Sequence, residues 1–444
     1  MMILTDPSRR KAALITVLLI SISAIPLLTR SRNLAWSKNA ISATNSKAAA
    51  APAPFRRPAD PQALIAFRNR LLSEQRDGQQ HGVYIEALRS GEPVAAWNEQ
   101  MLFNPASVLK LATSLVALDK LGADYRFRTE FRAAGEIDAR TGTLNGDLIL
   151  LSGGDPSFSI TDARNVGDAL RQLGLRRVNG SLVVVGSFTC NHNSQTDISA
   201  GVFRRQARLP FRDNPRFASD KTAFASAKPL LAIESDTLLH ILREQNAHSV
   251  NAMADLLGED IGGVSALKEF LTGKLGLPEH EVFILRASGL EINRLTPRGT
   301  VQILRALLDW LSRHGYKPED VMPVAGADYS TLAGRFTEPE FTGSVIAKTG
   351  TLTETDSGAA ALSGLAMTRK YGPLLFVIYN MAEGRGVHQL KREQDKFLKD
   401  LMAEFGGPLA LATRPAPEQP YLLQSRLIKE SNRSACRRAI CNPL

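Results

Sequence analysis

Three short patterns stand in order along this 444-residue chain, and they restrict its fold more than any bulk property does. They are Ser107-Val108-Leu109-Lys110, Ser249-Val250-Asn251 and Lys348-Thr349-Gly350-Thr351. The first two sit in helical periodicity, and the third ends a β-prone run that includes Val345 and Ile346. If they serve one chemistry, a helix start, a second helix and a strand end must converge. The chain between them runs to roughly 140 and then roughly 100 residues, so a sizeable domain has to fold around the site.

Each pattern has a chemical reason. Serine and lysine at i and i+3 share one helix face. A serine hydroxyl is a weak nucleophile until an adjacent base takes its proton. Lysine can be that base once burial or a nearby cation lowers its pKa, and Lys348 would be such a cation. Ser107 follows Asn104-Pro105-Ala106 at a helix start, where free N–H groups help to hold an oxyanion. Ser249 suits proton relay, and Asn251 suits fixing the substrate or the active lysine. Lys348 and Thr349 at a strand end suit a terminal carboxylate, while Gly350 admits a close backbone. Singly the patterns are weak, since Ser265-Ala266-Leu267-Lys268 and Ser31-Arg32-Asn33 repeat two of them elsewhere. Their order and setting distinguish them from these copies.

The rest of the chain divides by texture. Arg9-Arg10-Lys11 precedes an apolar run from Ala12 to Leu28, so 1–32 reads as a signal peptide or membrane anchor, with Ile22-Ser23-Ala24 a candidate cleavage site. Residues 33–60 are rich in Ala, Ser, Asn and Pro and read as a linker. Periodicity predicts a first helix from about Pro61, strands over Gly82–Leu88 and Pro93–Trp97, and a helix after Ser107 that ends at Gly122. Residues 125–228 turn to strands with one helix over Ala163–Leu173 and read as an inserted α+β domain, although 190–228 carry no assignable pattern. Helical patterns follow over Leu238–Leu257, Val264–Leu275 and Thr300–Trp310. Strands follow over Ser344–Lys348, Ser357–Met367 and Pro373–Tyr379, and a last helix over Leu390–Phe405. The main domain is therefore expected over 61–124 and 229–408. Residues 409–444 form a proline-rich basic tail, expected to be loosely held.

Charge follows the same division. Of the formal +10, about +8 lies before residue 59 and about +4 after residue 410, leaving the middle near −2. A nucleic-acid enzyme carries its basic stripe on the folded domain beside stacking aromatics, so no nucleic-acid partner is expected. An anionic membrane or wall fits basic tails better. The three cysteines, Cys190, Cys436 and Cys441, make no disulfide framework or zinc ribbon. No H-E-x-x-H, P-loop or dinucleotide fingerprint occurs, and the histidines are scattered, so no metal or cofactor is expected.

Taken together, the patterns resemble the penicillin-binding D-alanyl-D-alanine carboxypeptidase/endopeptidase family, in its low-molecular-mass class C type. Leu144 to Pro156, read Leu-Asn-Gly-Asp-Leu-Ile-Leu-Leu-Ser-Gly-Gly-Asp-Pro, is similar to a family stretch. So are Ser288-Gly289-Leu290 with Asn293 and Thr296-Pro297, and Pro323 to Gly326 with Thr331-Leu332 and Arg335-Phe336. The resemblance implies a transpeptidase/β-lactamase-like α/β (α+β) fold: an antiparallel sheet flanked by helices, a helical lobe and one smaller inserted domain. It implies a Ser107 nucleophile, Lys110 as base and an oxyanion site at the N–H groups of Ser107 and Thr351. Ser249 and Lys348 would relay a proton to the leaving amine, Asn251 would orient substrate, and Lys348 and Thr349 would bind its carboxylate. Asp155 matches a family residue near the stem-peptide side chain.

The partners so implied are peptidoglycan stem peptides and β-lactams as covalent inhibitors, in a periplasmic or other extracytoplasmic compartment. The sequence departs from the family pattern at Arg286-Ala287, where Asp-Gly is usual, and at Glu291-Ile292, where Ser-Arg is usual. The interval between the first two motifs is also short, so the family's innermost inserted domain is expected to be missing or reduced. A β-lactamase and a non-catalytic peptidoglycan-binding homologue remain alternatives at this point.

Overall fold

The computed structural model describes residues 59–410 and 423–429. Helix α1 (Gln62–Ser73) leads into the hairpin of β1 (His81–Ala87) and β2 (Pro93–Trp97), then into the buried helix α2 (Lys110–Leu121). The next segment contains β3 (Arg128–Asp138), β4 (Thr143–Leu151), α3 (Ile160–Gln172), β5 (Arg177–Val178), β6 (Leu182–Val185), α4 (Thr196–Ala207), β7 (Arg216–Ala218) and β8 (Lys228–Glu234). A helical lobe follows: α5 (Leu238–His248), α6 (Asn251–Asp260), α7 (Gly263–Glu269), the short pair β9 (Val282–Phe283) and β10 (Arg294–Leu295), and α8 (Pro297–Arg313). Strands β11 (Val345–Leu352), β12 (Ala359–Thr368) and β13 (Gly372–Met381), helix α9 (His388–Glu404) and β14 (Arg426–Lys429) end the described chain.

The strands form two main sheets. One is antiparallel throughout, in the order β11-β12-β13-β1-β2. Both its faces are covered, which explains the unbroken apolar runs of its central strands. Successive residues of a strand point to opposite faces. Leu375, Val377, Tyr379 and Met381 of β13 therefore pack toward the helical lobe, while Leu374, Phe376 and Ile378 meet α1 and α9. The terminal helices lock together there, with Phe67 stacked on Phe397 at 4.7 Å between ring centroids. On the lobe side, α8 starts with Pro297 at its first position under a Thr296 cap, and Thr300 Oγ1 meets the Tyr379 hydroxyl at 2.7 Å. The expected arrangement, an antiparallel sheet closed by terminal helices beside a helical lobe, is what the chain adopts.

The second sheet runs β14-β8-β3-β4-β6-β7, with β5 beside β4. Its apolar face carries α3 and α4 over a core that includes Phe131, Phe158, Phe188 and Phe203. The segment without a readable pattern thus supplies α4 and β7. Helix α4 lacks a side-chain cap and ends at Arg208 in the left-handed conformation, which leaves no conventional stop signal in the sequence. Part of the tail expected to be loose is also a strand, β14. It pairs with β8, and the Arg426 guanidinium meets Glu234 at 2.6 Å.

Among the described residues no helix is long and apolar enough to cross a membrane. No group of three or more His, Cys, Asp or Glu side chains could hold a metal ion there either. The apolar run Ala12–Leu28, Cys436 and Cys441 lie outside the described residues.

Candidate active site

The turn that carries Ser107 is held by backbone fit. Ala106 takes a left-handed conformation, φ 47°, immediately before Ser107, and a short 3-10 turn over Ala106–Leu109 feeds α2. Two glycines permit this. A Cβ on Gly289 would fall 1.9 Å from the Ala106 carbonyl oxygen, and Gly289 itself has φ 82°. A Cβ on Gly350 would lie 2.8 Å from the Pro105 carbonyl oxygen and 3.0 Å from Ala106 Cβ. Ser107 is therefore set between the Ser288-Gly289-Leu290 segment and β11.

Lys110 opens α2 and is fully buried. Its Nζ lies 2.9 Å from Ser107 Oγ, 2.7 Å from Asn251 Oδ1 and 2.7 Å from the Ser288 carbonyl oxygen. Burial brings its pKa down to about 7, with the Asp255 carboxylate acting in the opposite direction. Of the two causes expected, burial or a nearby cation, burial is the main one. Burial first, and the neighbouring Lys110 second, also hold the Lys348 pKa well below the usual lysine value.

The helix expected over Leu238–Leu257 is two helices. It breaks at Ser249, φ 57°, between α5 and α6. The break turns Ser249 Oγ toward β11, where it accepts from Lys348 Nζ at 2.9 Å, and it places Asn251 at the start of α6 facing Lys110. Lys348 Nζ also donates to the Thr349 carbonyl at 2.6 Å, and Thr349 Oγ1 donates to Thr331 Oγ1 at 2.8 Å. The Thr331 N–H in turn donates to the Ala247 carbonyl at 2.9 Å, which ties this loop to the end of α5.

Six of the nine singled-out residues, Ser107, Lys110, Ser249, Asn251, Lys348 and Thr349, are thereby joined in two hydrogen-bonded groups. Gly350 packs against the turn that carries Ser107, and Thr351 follows it on β11, opposite Ala360. Asp155 stands apart. It is buried, accepts from the Ser157 N–H at 2.8 Å and the Ser157 hydroxyl at 2.6 Å, and helps to raise the carboxyl pKa of Asp260 at the far end of α6. Burial pushes its carboxyl up to about 7, the Ser157 hydrogen bonds opposing.

Asp255 was not singled out in the sequence. It lies one helical turn after Asn251, accepts from the Ser288 N–H at 2.9 Å and pairs with Arg286 at 2.6 Å. It therefore fixes the residue whose carbonyl meets Lys110. The i, i+4 spacing from Asn251 was the available signal. Arg286, one of the departures noted above, pairs with it.

A family profile described as "D-Ala-D-Ala carboxypeptidase 3 (S13) family" matches residues 65–200 and 217–401. A D-alanyl-D-alanine carboxypeptidase from Actinomadura sp. is 37% identical over 108 residues, which is 24% of this chain and 19% of that protein. The chain thus matches less than a quarter of that relative's length. Among solved structures, the predatory endopeptidase Bd3459 of Bdellovibrio bacteriovorus in complex with its immunity protein superposes with a TM-score of 0.65 at 22% identity. The match covers 78% of this chain and 98% of that one. Penicillin binding protein 4 of Haemophilus influenzae gives 0.63 at 18% identity, over 76% and 98%. These likenesses establish the fold.

Proposed function

The chain belongs to the D-Ala-D-Ala carboxypeptidase 3 (S13) family, and from that premise we propose that it is a serine D,D-peptidase acting through an acyl-enzyme on Ser107. The hydrogen bonding of Lys110 carries this reading. A neutral amine has two N–H groups and one lone pair. Asn251 Oδ1 and the Ser288 carbonyl can only accept, so they engage both N–H groups. The lone pair is left facing the Ser107 hydroxyl, the one neighbour of the three able to donate.

Ser107 Oγ attacks the carbonyl carbon of the penultimate D-Ala while Lys110 Nζ takes its proton. Backbone N–H groups of Ser107 and Thr351 hold the oxyanion. Lys348 and Thr349 bind the substrate's terminal carboxylate, and Gly350 lets the peptide lie close to β11. Ser249 and Lys348 pass a proton to the leaving D-Ala nitrogen as the C–N bond breaks, with Asn251 steadying both Lys110 and the substrate. Water then hydrolyses the ester. Assignment of Asp155 to substrate binding rests on the family resemblance. Residues 125–228 are read as a domain inserted into the peptidase domain of 61–124 and 229–408, with the second sheet running on through β8.

Penicillin should acylate the same serine, and a penicillin G-acylated form of Bd3459 is among the similar solved structures. A peptidoglycan substrate places the protein in the cell envelope, reached through the apolar run near its N-terminus as a cleaved signal or a retained anchor. Endopeptidase action on peptidoglycan cross-links is the second reading, favoured by the Bdellovibrio endopeptidases among the solved neighbours. The test is release of D-Ala from a pentapeptide ending in D-Ala-D-Ala, run beside cleavage of a cross-linked muropeptide dimer. Cleavage of either by wild type and not by Lys110→Met supports the proposal, and no cleavage of either by the folded wild type overturns it.

A further inference from the structure

A cavity of about 430 Å³ opens beside Asn104, three residues before Ser107. Asn104, Arg294 and Asp356 line it together with Gln79, Gln80 and Glu383. Three loops meet at Asn104, which is itself buried. Its Oδ1 accepts from the Ala106 N–H at 3.0 Å, and so braces the left-handed residue that precedes Ser107. Its Nδ2 donates to the Glu291 carbonyl at 2.9 Å and to Asp356 Oδ2 at 3.2 Å. Arg294 fixes Asp356 in turn, with Nη1 at 2.6 Å from Oδ2 and Nη2 at 3.1 Å from Oδ1.

Each partner of Asn104 belongs to a strained piece of backbone. Ala106 has φ 47°, Glu291 φ 68° and Asp356 φ 60°, none of them glycine. Such conformations persist only where the surroundings over-determine them. Here the side chain of Asn104 joins all three. Its amide has one acceptor and one donor end, and the orientation matters. With a carboxylate and a carbonyl facing Nδ2, the Oδ1 end must face the Ala106 N–H. Without Asp356, one of the two groups that hold the amide in that sense is gone.

We propose that Asp356, held by Arg294, is a positioning residue for the nucleophile: it orients Asn104, and Asn104 fixes the turn that aims Ser107 at the acyl carbon. Asp356 touches neither Ser107 nor Lys110 in this scheme and acts through Asn104. The inference rests on the acyl-enzyme reading given above. It assigns a function to the Thr353–Gly358 connection between β11 and β12, which the catalytic scheme does not otherwise use.

The experiment is stopped-flow acylation by a chromogenic or fluorescent penicillin. It resolves a binding constant from the acylation rate constant and counts acyl groups per folded chain. For Asp356→Ala the acylation rate constant should fall by about 10- to 100-fold, with binding and acyl stoichiometry near wild type. Asp356→Asn keeps an oxygen acceptor for Asn104 and should recover part of the loss. Arg294→Lys, which leaves Asp356 in place, should fall in the same direction and covers the case in which Asp356→Ala does not fold. The acid limb of the rate profile should stay where Lys110 sets it. Acylation at the wild-type rate in folded Asp356→Ala or Arg294→Lys would overturn the positioning role. So would a loss confined to the number of competent sites. If wild type itself is never acylated, the peptidase reading fails and the positioning role fails with it.

Discussion

Ser249 Oγ accepts a hydrogen bond from Lys348 Nζ at 2.9 Å across 99 residues of chain. The contact exists because the helix carrying Ser249 breaks there into the left-handed conformation. An unbroken helix would have carried the serine along a regular face. The second lysine of the site therefore depends on a backbone defect in one element and a regular strand in another.

The pH profile of acylation should reflect Lys110. Its folded pKa is lowered to about 7, and the base must be neutral to accept the Ser107 proton. Acylation should therefore fall about tenfold per pH unit below pH 7 and level off above it. The rate constant for penicillin acylation, followed from pH 5 to 9, checks this. A flat profile would sink the assignment of Lys110 as base.

Asp255→Asn should move that limb in a defined direction. The carboxylate raises the Lys110 pKa against the effect of burial, so removing its charge should lower that pKa further and shift the limb to lower pH. The amide oxygen can still accept from the Ser288 N–H. A shift to higher pH would contradict the electrostatic account.

Lys110→Met removes the base while keeping an unbranched side chain. D-Ala release should fall by about 10²- to 10⁴-fold, the usual range for a lost general base. Circular dichroism and thermal unfolding establish that the variant is folded. Retention of more than a tenth of wild-type activity would contradict the role.

Asp155→Asn tests the buried carboxyl. Its folded pKa is raised to about 7 from a reference of 3.8, so the folded state binds more protons than the unfolded state between these values. Stability contributed by the neutral form is lost as pH rises through that window. The variant should be more stable than wild type at pH 8, by about 1–3 kcal/mol, and closely matched at pH 4. Thermal melts at both values decide it, and a destabilised variant at pH 8 would contradict the burial argument.

Gly289→Ala should disrupt the nucleophile turn. The new methyl would collide with the Ala106 carbonyl, and a non-glycine residue at φ 82° adds about 1–2 kcal/mol of strain. Loss of stability and of acylation should appear together. Wild-type values for both would contradict the close approach.

Much of this was legible in the sequence because it is local. The β12–β13 hairpin and α8 follow from apolar periodicity, and the Ser107–Lys110 contact follows from helical spacing. The break at Ser249 was not legible, since Leu238 to Leu257 continues in helical texture on both sides of it. Its strain is offset by tertiary contacts, which no local pattern reports. The same holds for Asn104 and Asp356, which meet across 252 residues. For β14, the pairing partner rather than the strand's own composition decides the structure.

The most direct test of the central claim is covalent labelling by a fluorescent penicillin, comparing wild type with Ser107→Ala and locating the adduct by peptide mass. Labelling of wild type on the peptide that contains Ser107, absent in the variant, is the result expected of a Ser107 acyl-enzyme. A folded wild type that stays unlabelled, or a Ser107→Ala variant that labels as well as wild type, would contradict it.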